Sequence, residues 1–113
     1  MKQITAIVQP ARLYSVLTAL RDLPGMPGLT ASDVRGFARG HADPKSQSHG
    51  IDAVDSFEMT KIECVVPDEI SATVIETIAR EAHTGNPRDG KIFMSDVQDM
   101  VEIRTGLRGE EAI

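Results

Sequence analysis

The chain has 113 residues, 41% of them hydrophobic and 26% charged, which suits one folded domain and excludes a disordered chain. A net charge of −5 argues against a general nucleic-acid binder, and no apolar run approaches the roughly 20 residues of a membrane span. The single cysteine, Cys64, has no internal disulfide partner, so a reducing cytoplasm is the expected setting, and the N-terminus opens into a strand pattern rather than a signal peptide.

Residues 3–9 read as a first strand, partly alternating and partly apolar on both faces. Pro10 suits a first helical turn, and Leu13, Val16, Leu17, Leu20 and Leu23 recur at helical spacing, which predicts a helix over 11–23 with Tyr14 half exposed beside the stripe. The Pro-Gly-Met-Pro-Gly run at 24–28 ends it. Residues 29–38 form a second strand. Residues 39–56 have no period and carry Gly40, Pro44, Gly50 and three serines, so they read as a long flexible loop of the kind that carries function. A third strand spans 57–66, where Ile62, Cys64 and Val66 alternate with polar neighbours and make Cys64 a small buried hydrophobe. Pro67, Asp68 and Glu69 open a second helix whose apolar stripe is Ile70, Val74, Ile78 and Ala82. A fourth strand follows at 91–97, then a short strand within the closing segment 101–113.

Strand–helix–strand, long loop, strand–helix–strand is a duplicated unit. It predicts a single α+β domain over 1–113, a ferredoxin-like double βαβ with a four-stranded antiparallel sheet and both helices on one face. The other face is expected to be an apolar patch that an oligomer covers.

The stretch 84–91, Thr-Gly-Asn-Pro-Arg-Asp-Gly-Lys, is the most informative segment. Its glycines can turn backbone amides toward a ligand, and Lys91 adds a positive charge at its exit, which suits a phosphate. Most Asp-Gly pairs, however, are ordinary hairpin turns, so the octapeptide alone is a weak signal for phosphate.

This loop, the Lys-Ile-Phe-Met that follows it, the run Val101 to Gly106, and the segment from Lys61 to Glu69 together resemble the PII signal-transduction family, trimeric nucleotide sensors of nitrogen and carbon status. The resemblance covers most of the chain and implies a homotrimer with ATP or ADP, with AMP as a third candidate, in clefts between subunits. It implies Ile7, Thr30, Glu63 and Val65 on the base side. On the phosphate side it implies Arg88, Asp89, Gly90 and Lys91, with Gly36, Phe37, Ala38 and Arg39 alongside and Arg104 reaching across from the next subunit. Lys as a point charge and Arg as a planar fork suit phosphate oxygens. The loop 39–56 would dock on a regulated protein, a membrane transporter or an enzyme, without nucleic acid or membrane insertion.

Several residues depart from the family pattern. Ala38 stands for a glycine, Gly40 for a glutamine, Met59 for a lysine, Arg88 for a glycine and Glu102 for an arginine. Without the glutamine, 2-oxoglutarate held through Mg²⁺ is not expected, and nothing in the sequence requires Mg²⁺. The loop lacks the tyrosine that enteric-type proteins uridylylate, so no uridylylation is expected. The loop at 22–29 and the run 82–87 look like the PII-like subgroup linked to heavy-metal efflux. This sustains an alternative reading in which His41 and His49 bind a transition metal and the nucleotide cleft is vestigial. No nucleophile–base pair, paired carboxylates or metal triad points to an enzyme.

Overall fold

The computed structural model describes residues 1–37 and 56–113. Strand β1 (Lys2–Val8) leads through a 3-10 turn at Pro10–Arg12 into helix α1 (Leu13–Arg21), and β2 (Thr30–Phe37) follows. The second half repeats the plan with β3 (Ser56–Val66), α2 (Asp68–Ala82) and β4 (Lys91–Asp96). The sheet order is β2-β3-β1-β4 with every neighbouring pair antiparallel, the expected ferredoxin-like α+β arrangement.

Residues facing one another across a ladder share a sheet face. Ile4 lies opposite Cys64 and Ala6 opposite Ile62, and with Val8 and Val66 they line the helix-covered side. Val16 and Leu20 of α1 and Val74, Ile78 and Ala82 of α2 close on them, all buried. Burial of each large aliphatic side chain contributes on the order of 2 kcal/mol, so this layer holds the monomer together. Cys64 sits inside it and its thiol pKa is raised by burial, as a structural cysteine's should be.

The helical stripe of α1 is realised, but its ends differ from the periodicity. The first turn is 3-10, the helix stops at Arg21, and Leu23 packs on the core from the turn beyond it. Tyr14 is 79% exposed, well beyond the half exposure expected. On α2 the stripe widens to include Ser71 and Thr77, whose hydroxyls donate to the carbonyls of Asp68 and Thr73 at 2.8 and 2.7 Å. Those internal hydrogen bonds let polar residues occupy a buried face.

Two expectations are corrected. The uncovered sheet face is a mosaic rather than an apolar patch, because Ile7, Val65 and Phe93 alternate with Thr5, Lys61 and Glu63. Lys61 pairs with Glu63 at 2.9 Å and Gln3 donates to the same carboxylate at 3.2 Å. The C-terminal segment is not a strand. Val101 and Arg108 form one isolated antiparallel bridge, Glu102 N–H donates to Leu107 at 2.9 Å, and Gly106, at φ +74°, closes the turn onto Glu102 at 2.8 Å. These hydrogen bonds fold the segment on itself instead of lending it to a neighbouring strand.

Candidate functional site

The loop 84–91 is built around its own carboxylate. Asp89 accepts the amides of Thr84 and Gly85, each at 2.8 Å, together with the Thr84 hydroxyl, and Gln9 reaches it from β1's end at 3.2 Å. The Thr84 hydroxyl and amide, then the Gly85 amide, hold this carboxyl below its ordinary value of 3.8. Asn86 accepts from the amides of Arg88 and Asp89 at 2.8 and 3.0 Å, and the Asn86 amide donates to the Thr84 hydroxyl at 3.2 Å. The amides of 84, 85, 86, 88 and 89 are therefore directed at internal acceptors, and the loop arrives rigid rather than as a string of bare donors. Asp89 serves as the loop's central brace.

Gly90 is where the loop meets the sheet. At φ +97° its Cα lies so close to β1 that a Cβ would fall 1.7 Å from the Ile7 carbonyl oxygen. Only glycine fits this approach, and it seats Lys91 opposite Ile7 at the start of β4. A cleft of about 210 Å³ beside it is lined by Ile7, His83, Asp89, Gly90 and Lys91.

The uncovered sheet face arranges the rest in rows. Thr30 lies opposite Glu63, and two residues along, Ile7 and Lys91 share a row with Lys61. Thr30, Glu63 and Val65 line a second cleft of about 430 Å³, with Leu29, Met100 and the C-terminal Ile113. Further along, Gly36 lies opposite Phe57, and a Cβ at Gly36 would stand 2.5 Å from the Phe57 ring. The bare glycine lets that ring lie across β2. Over the same ring, 4.4 Å from its centroid, sits the Arg88 guanidinium, and both line a third cleft of about 260 Å³ with Glu58, Met59 and Asn86.

The residues named from sequence are thus split within one chain. Ile7, Asp89, Gly90 and Lys91 come together, as do Thr30, Glu63 and Val65, while Gly36 and Arg88 meet through Phe57 and Phe37 ends β2 with its side chain exposed. Arg104 stands apart on the C-terminal turn, highly exposed and 3.6 Å from Glu102, whose carboxylate also accepts from Thr105. Ala38, Arg39, His41 and His49 lie outside the described residues, as does all but the last residue of the 39–56 loop. Among the described residues no group of three or more His, Cys, Asp and Glu side chains is placed to hold a metal ion. Sequence reasoning missed Thr84 and Phe57. The Thr84–Asp89 spacing within a Gly-Asn-Pro turn signals a side-chain brace, whereas nothing local predicts that Phe57 receives Arg88.

These features define a ferredoxin-like α+β domain with a braced, lysine-ended loop at the edge of an open sheet face. The family model "Nitrogen regulatory protein P-II" matches residues 1–107, and the chain belongs to the P-II family. It is 43% identical over 113 residues to nitrogen regulatory protein P-II 2 of Methanothermobacter thermautotrophicus, covering 100% of this chain and 97% of that protein. It is 42% identical to nitrogen regulatory protein P-II 1 of Escherichia coli K12 over the whole of both chains. A nitrogen regulatory protein P-II of Bradyrhizobium diazoefficiens is 40% identical over 115 aligned positions, with both chains fully covered. Proteins of this family are trimeric signalling regulators that act on partner proteins and bind adenine nucleotides, and they are not enzymes. Among the described residues no helix is long and apolar enough to cross a membrane.

Proposed function

We infer that this protein is a trimeric regulator that binds an adenine nucleotide between subunits and controls a partner protein in the cytoplasm. One observation supports this reading above the others: the Gly90 approach to β1, intolerant of any side chain, seats Lys91 in the row next to Thr30 and Glu63. A base lying against Thr30, Glu63 and Val65 then points its phosphates along the face toward Lys91. Because the loop amides are turned inward, the grip on phosphate falls to the Lys91 ammonium, the Gly90 backbone and the Arg88 guanidinium, with Arg104 supplied by the neighbouring subunit. Breaking its loose pairing with Glu102 costs Arg104 little, since exposed ion pairs contribute about 0–1 kcal/mol. The trimer places each cleft between two chains, which unites residues that one chain keeps apart. The partner docks through residues 39–56.

Calorimetric titration with ATP, ADP and AMP, paired with light scattering for mass, tests this. The expected result is a trimer that releases heat with at least one adenine nucleotide, and loses it in Lys91→Ala. A monomer at micromolar concentration, or a trimer silent to all three nucleotides, refutes the reading.

A further inference from the structure

The geometry points to Glu102 as the residue that limits how much negative charge the cleft accepts, biasing it against a long phosphate chain and toward ADP or AMP. This inference rests on the nucleotide reading above, in which the neighbouring subunit presents Arg104, and deepens it. Glu102 and Arg104 are carried on one small turn. The Glu102 amide donates to the Leu107 carbonyl at 2.9 Å, and the Glu102 carbonyl accepts the Gly106 amide at 2.8 Å. Its half-buried carboxylate accepts the Thr105 hydroxyl at 3.1 Å and stands 3.6 Å from the Arg104 guanidinium. Backbone and carboxylate are thus both fixed, whereas the Arg104 side chain is 83% exposed and projects into solvent. A turn that delivers Arg104 to a neighbouring cleft delivers Glu102 with it.

Parting the pair costs little, but the carboxylate stays. A phosphate held on the far side of the guanidinium lies within a Debye length, about 10 Å, of Glu102, so their repulsion is only partly screened. The ligand's path has no surplus of positive charge to absorb that repulsion. Lys61 is paired with Glu63 at 2.9 Å, and Lys91 leaves the loop that the Asp89 carboxylate braces. With Arg104 matched by Glu102, cations and carboxylates balance. Arg88 does not change this, because it shares its cleft with Glu58. Each further phosphate brings about one more negative charge into the balance. Lengthening the chain therefore gains little attraction and adds repulsion, and neutralising Glu102 tips the cleft to net positive.

Calorimetric titration of ATP, ADP and AMP into wild type, Glu102→Gln and Glu76→Gln tests the assignment. Glutamine keeps the oxygen that accepts from Thr105, so the turn is retained while its charge is removed. Glu76→Gln removes the same charge from the exposed side of α2 and serves as the control. Glu102→Gln is expected to tighten ATP roughly 10-fold and AMP roughly 3-fold or less, the scale of one partly screened charge, and the gain shrinks as salt is raised. Glu76→Gln is expected to leave all three unchanged. Equal affinities in wild type and Glu102→Gln overturn the inference, as does an equal gain for all three nucleotides or a gain matched by Glu76→Gln. If wild type binds a nucleotide and Lys91→Ala abolishes it but Glu102→Gln changes nothing, the nucleotide reading stands and only this assignment falls. If wild type and Glu102→Gln are both silent to all three, both fall.

Discussion

Replacing Gly90 with alanine tests the joint between the loop and the sheet. The new Cβ would lie 1.7 Å from the Ile7 oxygen and 2.8 Å from its carbonyl carbon, and β1 backbone cannot swing aside as a side-chain tip can. The residue at 90 must leave φ +97° or push β4 away from β1. The left-handed conformation alone costs a non-glycine residue about 1–2 kcal/mol. Parting the first ladder pair, Ile7 and Lys91, adds about 1 kcal/mol for each hydrogen bond lost. The sum is about 3 kcal/mol, which for a domain of this size lowers the melting temperature by about 10 °C. Gly85→Ala is the matched control, since Gly85 has φ +90° with nothing within 4 Å of its would-be Cβ, and only the conformational cost of about 1–2 kcal/mol applies. Thermal unfolding followed by circular dichroism, at one fixed protomer concentration because assembly shifts apparent stability, measures the difference. If the two variants melt together, the close approach to Ile7 carries no energetic weight and the argument for the loop's placement is refuted.

Asp89→Ala removes the acceptor for the Thr84 and Gly85 amides, so hydrogen exchange at those two amides should accelerate while exchange in the core strands stays unchanged. Because the folded-state pKa of Asp89 is depressed, its contribution is present above the unfolded value of about 4 and is lost as pH falls through the lower folded value. Wild type should therefore lose local protection in acid where Asp89→Ala shows no further step, and matching acid profiles would contradict the brace. Gly36→Ala would set a Cβ 2.5 Å from the Phe57 ring and is expected to lower the melting temperature; an unchanged value would show that the ring moves aside at no cost. Cys64, buried and with its thiol pKa raised by that burial, should react with a thiol reagent only at the rate of unfolding, and fast labelling of the native protein would show that the core cluster is open.

The duplicated strand–helix–strand order, the two apolar stripes and the alternation through Ile62, Cys64 and Val66 are local periodicities. They dictate elements and core faces because burial requires a repeat of two or of 3.6 residues, whatever the rest of the chain does. Gly90 and Lys91 were legible for the same reason, since a glycine before a lysine in a polar turn announces a special backbone and a charge. What the linear order leaves open is which elements become neighbours. Only the packed sheet brings Arg88 of one loop onto Phe57 of a strand 31 positions earlier, over a ring that Gly36 of another strand makes room for. The braced amides of the loop, the mosaic character of the uncovered face and the self-closed C-terminal turn likewise belong to the tertiary structure. In each case the deciding hydrogen bond, ion pair or ring contact competes against alternatives equal in local propensity, and only the surrounding contacts separate them.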